Sequence, residues 1–595
     1  MGNEAALQEK QIEMAKELLF SGEQLPSFAQ GLFIGQFDHA RVLPFPEVNA
    51  EEKQRAEEFC TRLNAWMDEH VNADAIDREA NIPDSVIRGL GELGVLGCTI
   101  SKEYGGLEFS HYAYCRMVEE VARRCGSLTL FINAHQSIGM KALLLYGSKD
   151  QKDRWLPPLA RGEVLAAFAL TEPNAGSDAN GVETRAVYDA ARKAYVINGK
   201  KQWITNGGIA DILTVMAQTE VDTPKGKQDR VTAFLVTPDM PGFKVTDVAL
   251  EKVGMRGTKT AKLEFENLVV PEENILGTLG GGLKIALNVL NFGRTTFSAG
   301  CTGNCKDMME RAIAHAKTRH QFDKPLAAFG LVKEKIATMA ALTYAVEAST
   351  YLTAGLLDRG EEDFKLETAI IKCFASEAQW RICYEAMQIL GGRSFFTDQP
   401  FERYMRDARL NTIGEGANEV LRTFLIAAVG LGDIGLKVEG MLESKSKIGG
   451  FGKLLGFGAS SIERMLKTPT VPVKSQELRG EADQLAAATR RFGVAVMRAL
   501  ATHRKAVLEK QMLCNRIADC VIALYTATAV ISKLDADLVR ANGTKDRLAN
   551  DIAVAKLYCA MAFEKIDQSL ETLFKNNDDQ FEAVSDRLTG GKQIK

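Results

Sequence analysis

Residues 170–178 read LTEPNAGSD, a run that sets Thr171, Asn174 and Ser177 around Gly176. Hydroxyl and amide side chains supply hydrogen bonds, and a glycine lets the backbone come close to a flat ring or a phosphate. Alone, such a run also fits an ordinary surface turn. Further on, Trp203-Ile204-Thr205 offers an aromatic face and a hydroxyl able to flank a planar group, though a lone tryptophan equally fits a core. A third pattern, GLGELG at 89–94, has the GxGxxG spacing that brings a dinucleotide pyrophosphate onto a helix N-terminus. That motif works only after a strand. Here it continues a helical pattern starting at Pro83, so nucleotide binding is not expected of it.

These residues sit in a chain of 595, too long for one hydrophobic core, and three to five domain-sized units are expected. With 46% hydrophobic and 25% charged residues and a net charge of -4, the composition is globular and gives no fold-wide attraction to nucleic acid. The 11 cysteines show neither CxxC nor zinc-type spacing, so reduced thiols and no metal site are expected. Cys301 and Cys305 share a helix face, as core thiols or as a redox pair. The first twenty residues lack the apolar core of a signal peptide and the acid-poor character of a transit peptide. No uninterrupted apolar run approaches the ~20 residues that span a bilayer. A cytoplasmic location is the expectation.

Periodicity divides the chain. Residues 1–48 form an arm, loose up to Pro44–Pro46. Residues 49–164 carry helical periodicity, with helix punctuation at Pro83 and Asp84. From 165 to 277 short β-branched and aromatic runs replace it, and Asn198-Gly199 between AYVI and KKQWIT predicts a hairpin turn. Helical periodicity returns over 278–432. Residues 433–475, richer in Gly, Ser, Lys and Pro, read as a linker before a last helical region, 476–595.

With that helical context, TEPNAGSD and WITN resemble the flavin-binding elements of the acyl-CoA dehydrogenase family. The resemblance continues through GMRGTKTAKLEFENLVVPEENILG (254–277), RHQFDKPL (319–326, with Asp323 where the family has glycine), QILGG (388–392) and RDARLNTIGEGANEVLR (406–422). It implies an α+β fold with an N-terminal helical domain, a middle β-barrel or sandwich, a four-helix bundle and, here, an extra C-terminal helical domain. It also implies FAD, held at the ring and pyrophosphate by Phe168, Leu170, Thr171, Gly176, Ser177, Trp203, Ile204 and Thr205. Arg319, Phe322, Gln388, Gly391 and Gly392 match positions that hold the ADP part across a subunit boundary, and Ala417 and Glu419 complete the set. An oligomer follows from that division.

Glu415 matches the family's catalytic base, although Ala417 replaces the usual threonine. The chemistry needs a carboxylate in a dry pocket, where desolvation raises its pKa towards that of a useful base. The resemblance supplies the rest: the base's own backbone N–H and a flavin hydroxyl polarise the thioester carbonyl, and the β-hydrogen leaves as hydride. Some members place the base just before the arginine matching Arg294, where this chain has Gly293. Asn291, Phe292 and Arg294 then look like a substrate-contacting turn, joined by Gly416; a structural salt bridge is the other reading of Arg294.

The arm FIGQFDHARVLPFPEV, the stretch NAHQSIGMKALLLYG and the C-terminal region look most like the very-long-chain branch, typically a homodimer. In 451–467, Phe451, Leu454, Leu455, Ile462, Met465 and Leu466 make one apolar stripe beside Lys453, Arg464 and Lys467, which resembles a membrane-docking segment; an amphipathic helix docked on its own protein is the other reading. The inner face of a membrane is therefore a second expected location. Thr129 and Asn133 stand where that branch carries pocket glycines, which leaves the acyl chain length open. The expected activity is dehydrogenation of a long-chain acyl-CoA to a trans-2-enoyl-CoA in fatty acid β-oxidation, with an electron-transferring flavoprotein as acceptor. An assembly factor of the same branch and an acyl-CoA oxidase are the alternatives.

Overall fold

The computed structural model describes residues 27–224, 226–432, 467–542 and 545–590. The candidate membrane segment 451–467 lies outside them, apart from Lys467. The chain divides into two compact units, residues 47–418 and residues 1–46 with 419–595.

The larger unit opens with helices. Helix α1 (Ala50–His70) starts where the Asn49 side chain accepts from the Glu52 N–H, with Glu51 and Glu52 favouring the positive end of the helix. Its Ala56, Phe59, Cys60, Leu63 and Met67 recur at helical spacing and are buried. Helix α2 (Asp84–Glu92) contains the first glycines of the GxGxxG pattern. A Cβ on Gly91 would stand 2.7 Å from the Arg161 carbonyl oxygen, so this glycine serves close packing. Helices α3 (His111–Arg124) and α4 (Gly126–Asn133) follow, and a π-helical segment, Ala134–Gly139, extends α4.

Eight strands then form one sheet: β1 (Ala166–Ala169), β2 (Arg185–Asp189), β3 (Ala194–Thr205), β4 (Ile212–Thr223), β5 (Gly226–Val236), β6 (Phe243–Asp247), β7 (Thr260–Pro271) and β8 (Ile275–Leu276). The order is β6-β7-β3-β2-β4-β5-β8, with β1 parallel to β4. Ile197, Leu213, Val215, Phe234, Leu263 and Phe265 lie in its core.

Asn198-Gly199 is not the expected hairpin turn. The β2–β3 reversal comes earlier, where the Asp189 carboxylate accepts from the N–H groups of Ala191 and Arg192. Strand β3 then runs straight through Asn198-Gly199, because β7 pairs along its other edge: Ile197 faces Leu268 and Gly199 faces Phe265, a β-bulge. Gly199 has φ +154°, and a Cβ there would lie 2.7 Å from the Thr184 Cα. A second bulge follows before Ile204 and contains Trp203, whose φ is +60°.

Helix α5 (Gly282–Thr318) is buried nearly all round from Gly293 to Cys305 and packs against α3, α6 (Gly330–Asp358) and α7 (Lys365–Leu390), with α8 (Phe401–Asn411) on α7. Cys301 and Cys305 are both buried on α5 and outside any disulfide, as are the other nine cysteines.

In the smaller unit, helices α9 (Arg479–His503), α10 (Gln511–Ala541), α11 (Ala549–Thr572) and α12 (Asp578–Thr589) are joined by part of the N-terminal arm. Residues 27–46 are not loose. Phe28, Leu32, Phe33 and Val42 are buried, the Phe33 ring meets Phe492 edge-on at 5.3 Å, and Ser532 donates to the Val42 carbonyl. By length and mean hydropathy (1.6) α10 is apolar enough to cross a membrane, yet 89% of its apolar stretch is buried inside the unit, as in a core helix.

Candidate active site

The loop between α8 and the end of the larger unit carries Glu415. It is closed by a bond from the Asn418 N–H to the Thr412 carbonyl, 3.1 Å. Within it Glu415 has φ +56° and Gly416 φ +96°, a left-handed pair that for glutamate persists only when the surroundings enforce it.

Two buried cations provide the enforcement. Arg294, from α5, donates Nε to the Glu415 carbonyl oxygen at 3.2 Å and Nη1 to the Asn291 side chain at 2.8 Å. Lys372, from α7, donates Nζ to the Gly416 carbonyl and to Asn418 Oδ1, each at 2.8 Å. Both cations bond the backbone of the loop and leave the carboxylate alone. Glu415 Oε2 is buried without a hydrogen-bond partner among the described residues. Burial pushes its pKa up; the charges of Arg294 and then Lys372 offset this only in part, and it settles at about 7. A Cβ on Gly293 would lie 2.8 Å from Oε2 and 3.1 Å from Oε1, so a bare backbone at 293 leaves the carboxylate its space. The glutamate N–H donates to no acceptor among the described residues.

Asn291–Arg294 is not a turn. It is the interior of α5. Arg294 bonds both the Asn291 side chain and the Glu415 carbonyl. The Phe292 ring stacks on His111 at 5.5 Å, meets Phe364 edge-on at 5.1 Å and carries Lys141 Nζ at 4.5 Å. Lys372 was not among the sequence candidates. Its only signal is a lysine inside the apolar run AIIKC.

The TEPNAGSD and WIT elements come together. The Gln202 N–H donates to the Thr171 carbonyl at 2.9 Å, and Lys201 Nζ bonds both the Leu170 carbonyl (3.1 Å) and Glu172 Oε1 (2.6 Å). Glu172 also accepts from the N–H groups of Glu183 and Thr184. Burial pushes this carboxyl up, but Lys201 and the N–H donors outweigh it and hold the pKa below the usual value. On this frame Thr171, Ser177 and Thr205 are half-buried or exposed, Gly176 has open space where a side chain would sit, and Trp203 is 60% exposed. Phe168 and Leu170 are buried, and the Ile204 side chain belongs to the sheet core, which leaves only its backbone for a ligand.

Phe322-Asp323 is the turn of a two-stranded ribbon that pairs Gln321 with Lys324. Both residues have positive φ, +50° and +59°, which is why glycine suits position 323; aspartate tolerates this region better than most residues. Phe322 is 88% exposed, and Arg319 is exposed with no ion pair among the described residues. Elsewhere in the same unit, Gln388, Gly391 and Gly392 line a cleft of about 440 Å³ with Trp380, Tyr384 and Phe395. Ala417 is half-buried; Glu419 is exposed and belongs to the smaller unit.

Residues 53–163, 167–268 and 280–430 match the N-terminal, middle and C-terminal domains of acyl-CoA dehydrogenases, and 476–592 match the ACAD9/ACADV C-terminal domain. The chain belongs to the acyl-CoA dehydrogenase family. It is 36% identical to the bovine (Bos taurus) mitochondrial very long-chain specific acyl-CoA dehydrogenase, over 94% of this chain and 87% of that one. Identity to the probable acyl-CoA dehydrogenase FadE10 of Mycobacterium tuberculosis is 32%, over 97% and 91%. The crystal structure of a Bacillus anthracis acyl-CoA dehydrogenase complexed with FAD superposes with a TM-score of 0.77 at 28% identity, covering 91% of each chain.

The cofactor of this acyl-CoA dehydrogenase is FAD, and the residues present fit it. An exposed indole on strained backbone, an open glycine in a hydroxyl-bearing loop and a glycine-floored cleft are features that a packed core would not leave open. Gly391 and Gly392 meet nothing within 4 Å where a Cβ would be.

Proposed function

We propose that the protein dehydrogenates a long-chain fatty acyl-CoA to the trans-2-enoyl-CoA, with Glu415 as the base that takes the α-proton. One observation carries the reading: a buried, partnerless carboxylate oxygen at a pKa of about 7, on a loop held by its backbone. Near neutral pH such a group is substantially ionised yet basic enough to accept a proton. The unpartnered Glu415 N–H is available to a thioester carbonyl, where it would stabilise charge developing as the α-proton leaves. Arg294 and Lys372 hold the loop in place while the carboxylate changes charge. Bound FAD supplies the acceptor for the β-hydride, and an electron-transferring flavoprotein is the proposed next acceptor.

The long-chain assignment is supported by similarity to an enzyme named for very long chains. Thr129 and Asn133 temper the expected length. Thr129 Cγ2 lies 3.1 Å from where a Cβ on Gly300 would be, and Asn133 accepts from Tyr114 and Ser137. Anaerobic titration of the flavoprotein with palmitoyl-CoA and octanoyl-CoA tests this. Bleaching of the oxidised-flavin band, stronger with palmitoyl-CoA and absent in Glu415→Gln, is the expected result. Stronger bleaching by octanoyl-CoA would refute the long-chain assignment, and equal bleaching in the variant would refute the role of Glu415.

A further inference from the structure

We propose that Lys372 is a positioning residue for the reaction, holding the Glu415 carboxylate on target through the backbone of its loop; this rests on Glu415 being the base. The ammonium sits on α7 at 0% exposure, an environment that strongly disfavours an uncompensated charge. It forms no ion pair among the described residues. Its two bonds go instead to the Gly416 carbonyl and to Asn418 Oδ1, and the Phe297 ring lies 5.8 Å away. Asn418 in turn donates Nδ2 to Ser376 Oγ and Glu377 Oε1, both one turn further along α7, at 3.0 Å each. Helix α7 thus grips the loop at Gly416 and Asn418, just after Glu415, while Arg294 on α5 grips the Glu415 carbonyl itself.

The left-handed φ of Glu415 gives this grip its purpose. A glutamate at +56° relaxes toward right-handed or extended backbone unless its neighbours are fixed. Relaxation would swing the carboxylate away from the space beside Gly293. With Lys372 engaged, the strain is held by bonds that do not touch the carboxylate, whose oxygens stay free to take a proton.

Among the described residues, four groups bear most on Glu415 electrostatically. They are Arg294 and the Cys301 thiol on α5, Lys372 on α7, and the Tyr114 phenol on α3. Of these only Arg294 and Lys372 are cations, and both pull the Glu415 pKa down against burial. Removing Lys372 therefore has two signatures. The base is misaimed, and its pKa moves up.

The test uses the FAD-loaded full-length chain and its Lys372→Met, Lys372→Arg and Glu415→Gln variants. Methionine matches the lysine stem and lacks the charge, a change that buried sites often tolerate. Expected for Lys372→Met are native FAD content, a palmitoyl-CoA dissociation constant within about threefold of native, and flavin reduction slowed by about 10²-fold. Its pH profile should move to higher pH. Lys372→Arg, which can still donate to both oxygens, should recover to within about tenfold and restore the profile. If the methionine variant does not fold, Lys372→Leu, which also lacks a donor and a charge, carries the same prediction. A native rate and an unmoved profile in Lys372→Met, with Glu415→Gln inactive, would overturn the proposal and leave the base in place. A native rate in Glu415→Gln would overturn the reading on which the proposal rests.

Discussion

Glu172 and Glu415 both hold a carboxylate oxygen out of water, each near a buried lysine, and they end in opposite states. Lys201 bonds the Glu172 carboxylate directly at 2.6 Å and backbone N–H groups satisfy the rest, so that carboxyl is held low and its charge is fixed. Lys372 and Arg294 turn to the backbone around Glu415, so that carboxyl keeps a bare oxygen and a pKa of about 7. Where the cation's hydrogen bonds go decides whether a buried acid braces the fold or can exchange a proton.

Exchanging each acid for its amide separates the two roles. Glu415→Gln should lower the rate of flavin reduction by about 10⁴-fold with the flavin still bound. Glu172→Gln leaves the Lys201 ammonium buried without a counter-charge, which costs about 3–5 kcal/mol. It should appear as early thermal loss of flavin fluorescence quenching, while any intact holoenzyme keeps the native pH profile. A shifted profile in Glu172→Gln would erase the distinction.

Gly293→Ala probes the free oxygen more gently. A methyl 2.8 Å from Oε2 must displace the carboxylate, and flavin reduction should fall by about 10²-fold without loss of FAD.

The smallest effect is on stability against pH. The folded-state pKa of Glu415 lies above its unfolded value, so its contribution is complete below about pH 4.5 and is lost as pH rises through 7. Glu415→Gln, permanently neutral, should therefore melt higher than the native protein at pH 8.5, and the two melting temperatures should converge near pH 5. Parallel melting curves would mean that Glu415 is solvated in the folded protein.

Much of this was legible in the sequence, for identifiable reasons. TEPNAGSD, WIT and Glu415 stand in a fixed order, and the switch from helical to β-branched patterning marks the sheet. The misreadings came from information that lies across the fold. Asn198-Gly199 has turn chemistry, but β7 pairs along the far edge of β3 and turns the signal into a bulge. NFGR reads as a turn, whereas α5 is stable through it because its surroundings bury it on nearly every side. Lys372 in AIIKC has no local mark of function; only the folded loop supplies the carbonyl it bonds. The arm at 27–46 looked loose because its partners, such as Phe492 and Ser532, are hundreds of residues away.

The central claim, that Glu415 is a base tuned by burial, is tested most directly by the pH dependence of anaerobic flavin reduction at low palmitoyl-CoA, where the free enzyme's ionisation governs the rate. The rate should rise with pH through an apparent pKa near 7 in the native protein, and Glu415→Gln should show no such rise. A native profile already level from pH 5.5 upward, or the same rise in the variant, would contradict it.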